Sequence, residues 1–126
     1  MKDFRNLKVW ERSHELVLEI YRISNTFPKS ELFGFTSQLR RSCISIPANS
    51  AEGCGRGSDA DFGRFLQIAA GSASETEHHL LLAHNLGYIK GDDYINLSQN
   101  IIEIKQMLAT LIKKLKADSR KLAANL

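Results

Sequence analysis

Leu97, Ile101, Ile104, Leu108, Leu111 and Leu115 recur at alternating spacings of four and three. At 3.6 residues per turn such a series keeps to one side of an α-helix, and an apolar seam of that kind must be covered by other helices. The rest of the chain supplies three of them. With Val17 as reference and steps of about 100° per residue, Trp10, Ser13, Ile20, Tyr21 and Ser24 fall within about 60° of it, with Leu16 and Phe27 at the margin. This first helix is expected to start near Asn6 or Leu7 and to stop before Pro28, whose ring steers the preceding residue out of the α region. A second carries Leu39, Cys43, Ile46 and Ser50 on one side and runs out in Gly53, Gly55 and Gly57. A third opens with Ser58 and Asp61 as a capping-box-like S-x-x-D. It presents Phe62, Phe65, Leu66, Ala69, Ala73, Thr76, Leu80 and Ala83 on one side until Gly87. No segment alternates with period two between turn signals, so no strand is expected. The expectation is an all-α fold: one domain over residues 1–126, an antiparallel up-down-up-down four-helix bundle, with a basic C-terminal extension from about residue 116. The helices should be roughly 18 to 29 residues long.

Within the second helix, Pro47 removes a backbone donor and collides with the carbonyl of Cys43, at a cost of roughly 3 kcal/mol in a helix interior. A kink at Pro47 is therefore expected, with Ser45, Asn49 and Ser50 within one turn to satisfy the disturbed backbone. Ser42, Ala48 and Ala51 allow a neighbour to come close. In the third helix the run from Ala69 to Ser74 is equally small-sided, so Ser45, Asn49 and the Gly71 region should face one another.

The balance of 43% hydrophobic and 25% charged residues is that of an ordinary soluble domain. No apolar run reaches the roughly 18 residues that span a bilayer, and the opening M-K-D-F-R-N-L-K has no signal-peptide core, which places the chain in the cytoplasm. Cys43 and Cys54 lie about 16 Å apart along a helix, too far for an intrachain disulfide, and read as buried thiols.

A net charge of +3 is modest, but its distribution is uneven. Lys105, Lys113, Lys114, Lys116, Arg120 and Lys121 load the C-terminal segment against Glu103 and Asp118, and Arg40 and Arg41 form a second basic pair. Cations near a helix C-terminus also offset the macrodipole, which is the plainer reading of the tail.

Two E-x-x-H pairs, Glu11 with His14 and Glu75 with His78, together with Glu52 and Glu103, match the inventory of a di-iron carboxylate bundle. Ligands in such a site point inward, whereas Glu11 and Glu75 lie about 120° and His78 about 180° from the core direction of their helices. A metal-dependent bundle enzyme is accordingly the least supported reading, and no metal or cofactor is expected. Gly53-Cys54-Gly55-Arg56-Gly57-Ser58 looks like a phosphate loop but lacks the preceding strand and the lysine, and reads as a helix stop followed by a helix start. Asn49 and Glu52 could form a polar site. The structural assignment is simpler: Asn49 serves the backbone around Pro47, and Glu52 pairs with Arg40, Arg41 or Arg56. No Ser, His and Asp set is spaced to make a nucleophile, and His79 and His84 read as surface or boundary residues.

Five blocks carry a resemblance: W-E-R-S-H-E-L-V-L-E-I-Y at 10–21, F-P-K-S-E-L-F-G-F-T-S-Q-L-R-R at 27–41, S-I-P-A-N-S-A-E-G at 45–53, F-L-Q-I-A-A-G-S-A-S-E at 65–75 and L-G-Y-I at 86–89. In order and spacing the chain resembles the bacterial four-helix-bundle proteins first met in intervening sequences of 23S rRNA genes. Ser50 departs from the isoleucine usual there, and the tail after Leu115 lies outside the pattern. The resemblance implies a bundle that assembles as a homopentamer. A more distant similarity is to the accessory protein of diversity-generating retroelements, a basic pentamer that binds nucleic acid and a reverse transcriptase.

Function then divides between two main readings. In the first, the protein is a non-catalytic oligomer that binds RNA or DNA phosphates, or a nucleic-acid enzyme, through Arg40, Arg41, Arg56 and Arg64 supported by Lys113, Lys114, Lys116, Arg120 and Lys121. Ser45, Asn49 and Glu52 are its structural polar residues. In the second it is a protein–protein scaffold, with the oligomer surface and the basic tail as its docking platform. Apolar Leu18, Leu81 and Leu82, outside the core stripes, need a partner surface and give the sequence's own reason to expect assembly.

Overall fold

The computed structural model describes residues 3–125. Among them there are four α-helices and no strand: α1 (Lys8–Ser24), α2 (Phe35–Cys54), α3 (Asp59–Asn85) and α4 (Gly91–Ala124). Short 3-10 turns at Phe4–Asn6 and Lys29–Glu31 precede α1 and α2. The chain punctuation sets these limits. Ser58 caps α3 by accepting from the Asp61 amide at 3.2 Å, with Asp59 and Asp61 in the first turn, where the helix dipole favours negative charge. The other end of α3 is closed by Gly87 at φ 78°, and the amides of Gly87 and Tyr88 return to the carbonyls of His84 and Ala83 at 3.0 and 2.9 Å. That is a Schellman closure, and it needs a residue at ease in the left-handed region.

Each helix packs on its neighbours in chain order, and α4 closes back on α1. Neither diagonal pair comes into close backbone approach, so the helices enclose one core as a bundle. At one end the rings of Phe27, Phe35, Tyr88 and His79 form a chain of contacts 5.5 to 6.2 Å apart, and the Tyr88 hydroxyl donates to Glu31 at 3.0 Å. At the other end Leu7, Cys54, Phe62, Leu111 and Leu115 surround a common hollow.

The core contains the expected series from α2, α3 and α4, with Leu111 and Phe65 half-buried at its edge. On α1 the buried face is Val9, Ser13, Leu16, Ile20, Ile23 and Ser24, followed by Phe27. It is therefore centred nearer Leu16 and Ile20 than Val17, and Tyr21 is exposed. Half-buried Trp10 and Val17 lie on its margin beside Tyr21, while Ser13 and Ser24 are buried, as expected. They sit inside because their hydroxyls return to backbone carbonyls of their own helix, Ser13 to Val9 at 2.7 Å and Ser24 to Tyr21 at 3.3 Å. Two lengths also differ from expectation, α1 having 17 residues and α4 having 34. The basic extension does not leave the helix but continues it, and every residue from Lys116 to Asn125 is exposed.

α2 and α3 make the most intimate pair. α2 continues as one helical segment through Pro47, which is buried. Asn49 Nδ2 donates to the Ser45 carbonyl at 2.8 Å and to Ser45 Oγ at 2.9 Å, and Ser50 Oγ donates to the Ile46 carbonyl at 2.8 Å. Across the seam Ser72 Oγ donates to Ser45 Oγ at 2.8 Å and Thr76 Oγ1 to Ser42 Oγ at 3.0 Å. The small residues thus meet as expected, but Gly71 does not. It is exposed, and a Cβ there would find nothing within 4 Å. The glycine that sets the helix separation is Gly53, where a Cβ would come 2.8 Å from Phe65 Cβ and 3.2 Å from the Phe62 carbonyl.

Gly53→Ala should therefore destabilise the protein by about 1 to 3 kcal/mol through overpacking, despite alanine's better helix propensity. Gly71→Ala should be neutral or stabilise by up to about 1 kcal/mol. Denaturant midpoints of the two variants check both signs. Equal midpoints would show that the α2–α3 approach yields without cost.

Candidate functional site

The nine basic residues singled out from sequence fall into two groups. Arg40 and Arg41 lie near the start of α2, 16 residues and about 24 Å of helix away from Arg56. Arg40 is spent within the fold. Its Nε donates to Ser24 Oγ at 2.9 Å, Nη2 donates to Asn25 Oδ1 at 3.1 Å, and its guanidinium lies 4.5 Å from the Tyr21 ring centroid. It ties the end of α1 to α2, whereas Arg41 is exposed beside it.

The other group gathers at the opposite end of the bundle. Arg56 pairs with Glu52 at 2.9 Å, one of the three partners expected for that carboxylate, and Arg64 approaches Asp61 at 3.7 Å. Both guanidiniums also flank the half-buried ring of Phe65, at 4.9 and 4.5 Å from its centroid. A cation over an aromatic face is worth about 0.5 to 1 kcal/mol at an exposed site, so Phe65 holds two mobile side chains in place. Sequence reading counted Phe65 only as core. Its position four residues after Asp61 and beside Arg64 carried the missed signal.

Arg64 then faces α4. Between α3 and α4 runs an open groove lined first by Asp59, Arg64, Gln67, Ile112, Lys116 and Arg120, and further along by Ala70, Ser74, Lys105, Ala109 and Lys113. Lys105 is tied to Glu77 at 2.8 Å. Among the described residues, Lys113, Lys116 and Arg120 have no carboxylate within 4.0 Å. Lys114 turns toward the α1 side, lining the hollow with Leu7 and Leu111, and Lys121 lies on the exposed last turns.

Of the metal-ligand inventory, Glu11, His14, Glu75 and His78 are exposed, as are Glu52 and Glu103. Glu103 forms an ion pair with Arg12, Glu75 approaches His79 at 3.3 Å, and His14 stacks on Trp10 at 4.7 Å. Among the described residues no three His, Cys, Asp or Glu side chains converge as a metal site would require. Cys43 is fully buried and donates to the Arg40 carbonyl at 3.2 Å, and Cys54 is buried as well. Burial pushes the Cys43 thiol up to about 12, although nearby backbone hydrogen bonds and Arg40 act in the other direction. A thiol so held is not a nucleophile at neutral pH.

A four-helix bundle with basic residues concentrated at one end defines the class. The model of the 23S rRNA-intervening sequence protein family matches residues 5–110, and the chain belongs to that family. Among solved structures it is similar to a protein of unknown function from the S23 ribosomal protein family of Bacteroides thetaiotaomicron, with 32% identity and a TM-score of 0.77, over 83% of this chain and 98% of that one. A comparison with curated proteins finds no match. No helix among the described residues is long and apolar enough to cross a membrane.

The raised thiol has a consequence for stability. Its folded value lies above the ordinary 9.0, so the contribution is fully present below 9.0 and is lost as pH rises toward about 12. The parent should lose stability more steeply than Cys43→Ala across that window, when unfolding is followed by circular dichroism at a series of pH values. Parallel curves would mean that the thiol ionises in place.

Proposed function

We propose that the protein is a non-catalytic, oligomeric accessory protein of the cytoplasm that binds nucleic acid through phosphate contacts. The observation that carries this reading is the alignment of Arg64, near the start of α3, with Lys113, Lys116 and Arg120 of α4 along one groove, with Arg56 joined to Arg64 through the ring of Phe65. Lys113, Lys116 and Arg120, aligned without a carboxylate within 4.0 Å among the described residues, suit phosphate, which needs charge and tolerates variable geometry. The family name supports the reading only by association with rRNA genes.

Assembly strengthens it. Five copies at +3 would carry roughly +15 on one particle, a field that a single subunit lacks. Leu18, Leu81 and Leu82 remain 59%, 47% and 37% exposed in the isolated chain, and such leucines are suited to a subunit contact. The same exposure favours the second reading, a protein–protein scaffold, in which the basic end attracts nucleic acid only weakly.

Titration of structured RNA and duplex DNA at several salt concentrations separates the two. A steep negative slope of log affinity against log salt is expected, and absence of binding at low salt removes nucleic-acid recognition. Leu81→Glu with Leu82→Glu should give a folded, smaller species by light scattering. Its affinity should fall far more than two lost charges per chain explain, because contacts spread over an assembly act together. A monomeric parent defeats the assembly, and a dissociated variant that binds like the parent defeats its link to binding.

A further inference from the structure

The α3–α4 groove differs from a plain basic patch in having an apolar floor. On α4, Lys105, Ala109, Ile112, Lys113, Lys116 and Arg120 fall within about 60° of one line, and Lys105 to Arg120 spans about 22 Å. On α3, Arg64, Gln67, Ala70 and Ser74 follow one another at spacings of three, three and four. Ala70, Ala109 and Ile112 thus line the groove between the two rows, while Arg64, Lys113, Lys116 and Arg120 supply positive charge. The Lys105–Glu77 pair, at 2.8 Å, stands at one end, and Asp59 lines the other.

We infer that this groove is a binding site for single-stranded nucleic acid, an inference that rests on the nucleic-acid reading above and narrows it. A duplex keeps its bases stacked inside and offers a convex surface of phosphates, so it would leave the apolar floor uncovered. A single strand exposes both base faces and phosphates, and can lay the former on Ala70, Ala109 and Ile112 while the latter meet the cations. Among the described residues no aromatic side chain lines the groove, so recognition is by backbone and shape, without sequence preference. The family match ends at residue 110, and Ile112, Lys113, Lys116 and Arg120 of the α4 row lie beyond it. α3 supplies one wall of the site and the last turns of α4 the other.

The test uses the full chain with a fluorescein-labelled oligouridylate, a duplex RNA of equal length and inorganic polyphosphate. The oligouridylate should bind more tightly than the duplex, with a log–log salt slope of about −3 for four phosphate contacts. Lys116→Gln with Arg120→Gln should weaken it about tenfold or more, whereas Lys29→Gln with Lys90→Gln, which removes the same charge at the far end, should change little. Ile112→Ala should weaken the oligouridylate several-fold and leave polyphosphate unchanged, since only the strand has bases to lose. Circular dichroism confirms that each variant is folded. If the parent binds neither RNA at low salt, the general reading falls and this one with it. If it binds but prefers the duplex, or the two double variants weaken it equally, this inference alone is overturned. Tighter binding of an acidic amphipathic peptide than of the oligouridylate would also overturn it and assign the groove to a protein partner.

Discussion

The approach of α2 to α3 at Gly53 is the constraint on which the rest of the bundle depends. With Phe65 Cβ only 2.8 Å from where a side chain would begin, the two helices lie as near as their backbones permit at that point. The seam beyond is filled by hydroxyls: Ser45 with Ser72, and Ser42 with Thr76. Small side chains lose little rotamer entropy on burial, and their polar atoms find partners across the seam or on their own helix, so a thin interface holds without large apolar groups. The large residues are left for the other faces, where Leu16, Ile20, Leu97, Ile101, Ile104 and Leu108 fill the space between the remaining helices.

The same contact organises the surface. Phe65 touches the backbone at Gly53 on one side and carries Arg56 and Arg64 on the other. Those guanidiniums therefore gather on a ring that the α2–α3 contact fixes, Arg56 from the turn after α2 and Arg64 from α3 itself. Arg40 shows the opposite use of the same side chain: its donors are committed to Ser24 and Asn25, and it serves as a clasp between α1 and α2.

Much of this was legible in the residue order. Periodicity located four helices, Ser58 and Gly87 marked the limits of α3, and the four-three series of α4 lies where it was expected. Two things were not legible. The inward side of α1 was placed too near Val17 because Trp10, Val17 and Tyr21 are large and apolar or aromatic and share one line, yet they border the core without filling it, while Ser13 and Ser24 lie inside with their hydroxyls returned to their own helix. Gly71 looked like the close-packing glycine because small residues surround it, yet rotation about the α3 axis turns it outward, and Gly53, at what looked like a helix stop, performs that role. Of the site, the cation types could be read in advance. Their division into an engaged pair member at one end and a lined groove at the other could not, because that depends on which helices are neighbours.

α4 is twice as long as α1, 34 residues against 17, and its last turns run beyond the core. Its backbone amides therefore experience two environments along one uninterrupted helix. Around Ile101, Ile104 and Leu108 the peptide groups should open only when the whole bundle opens, while past Arg120 each turn has only its own hydrogen bonds and should fray like a short peptide in water. Hydrogen exchange along this one element should therefore span a wide range, from slow amides in the core turns to fast ones at the end.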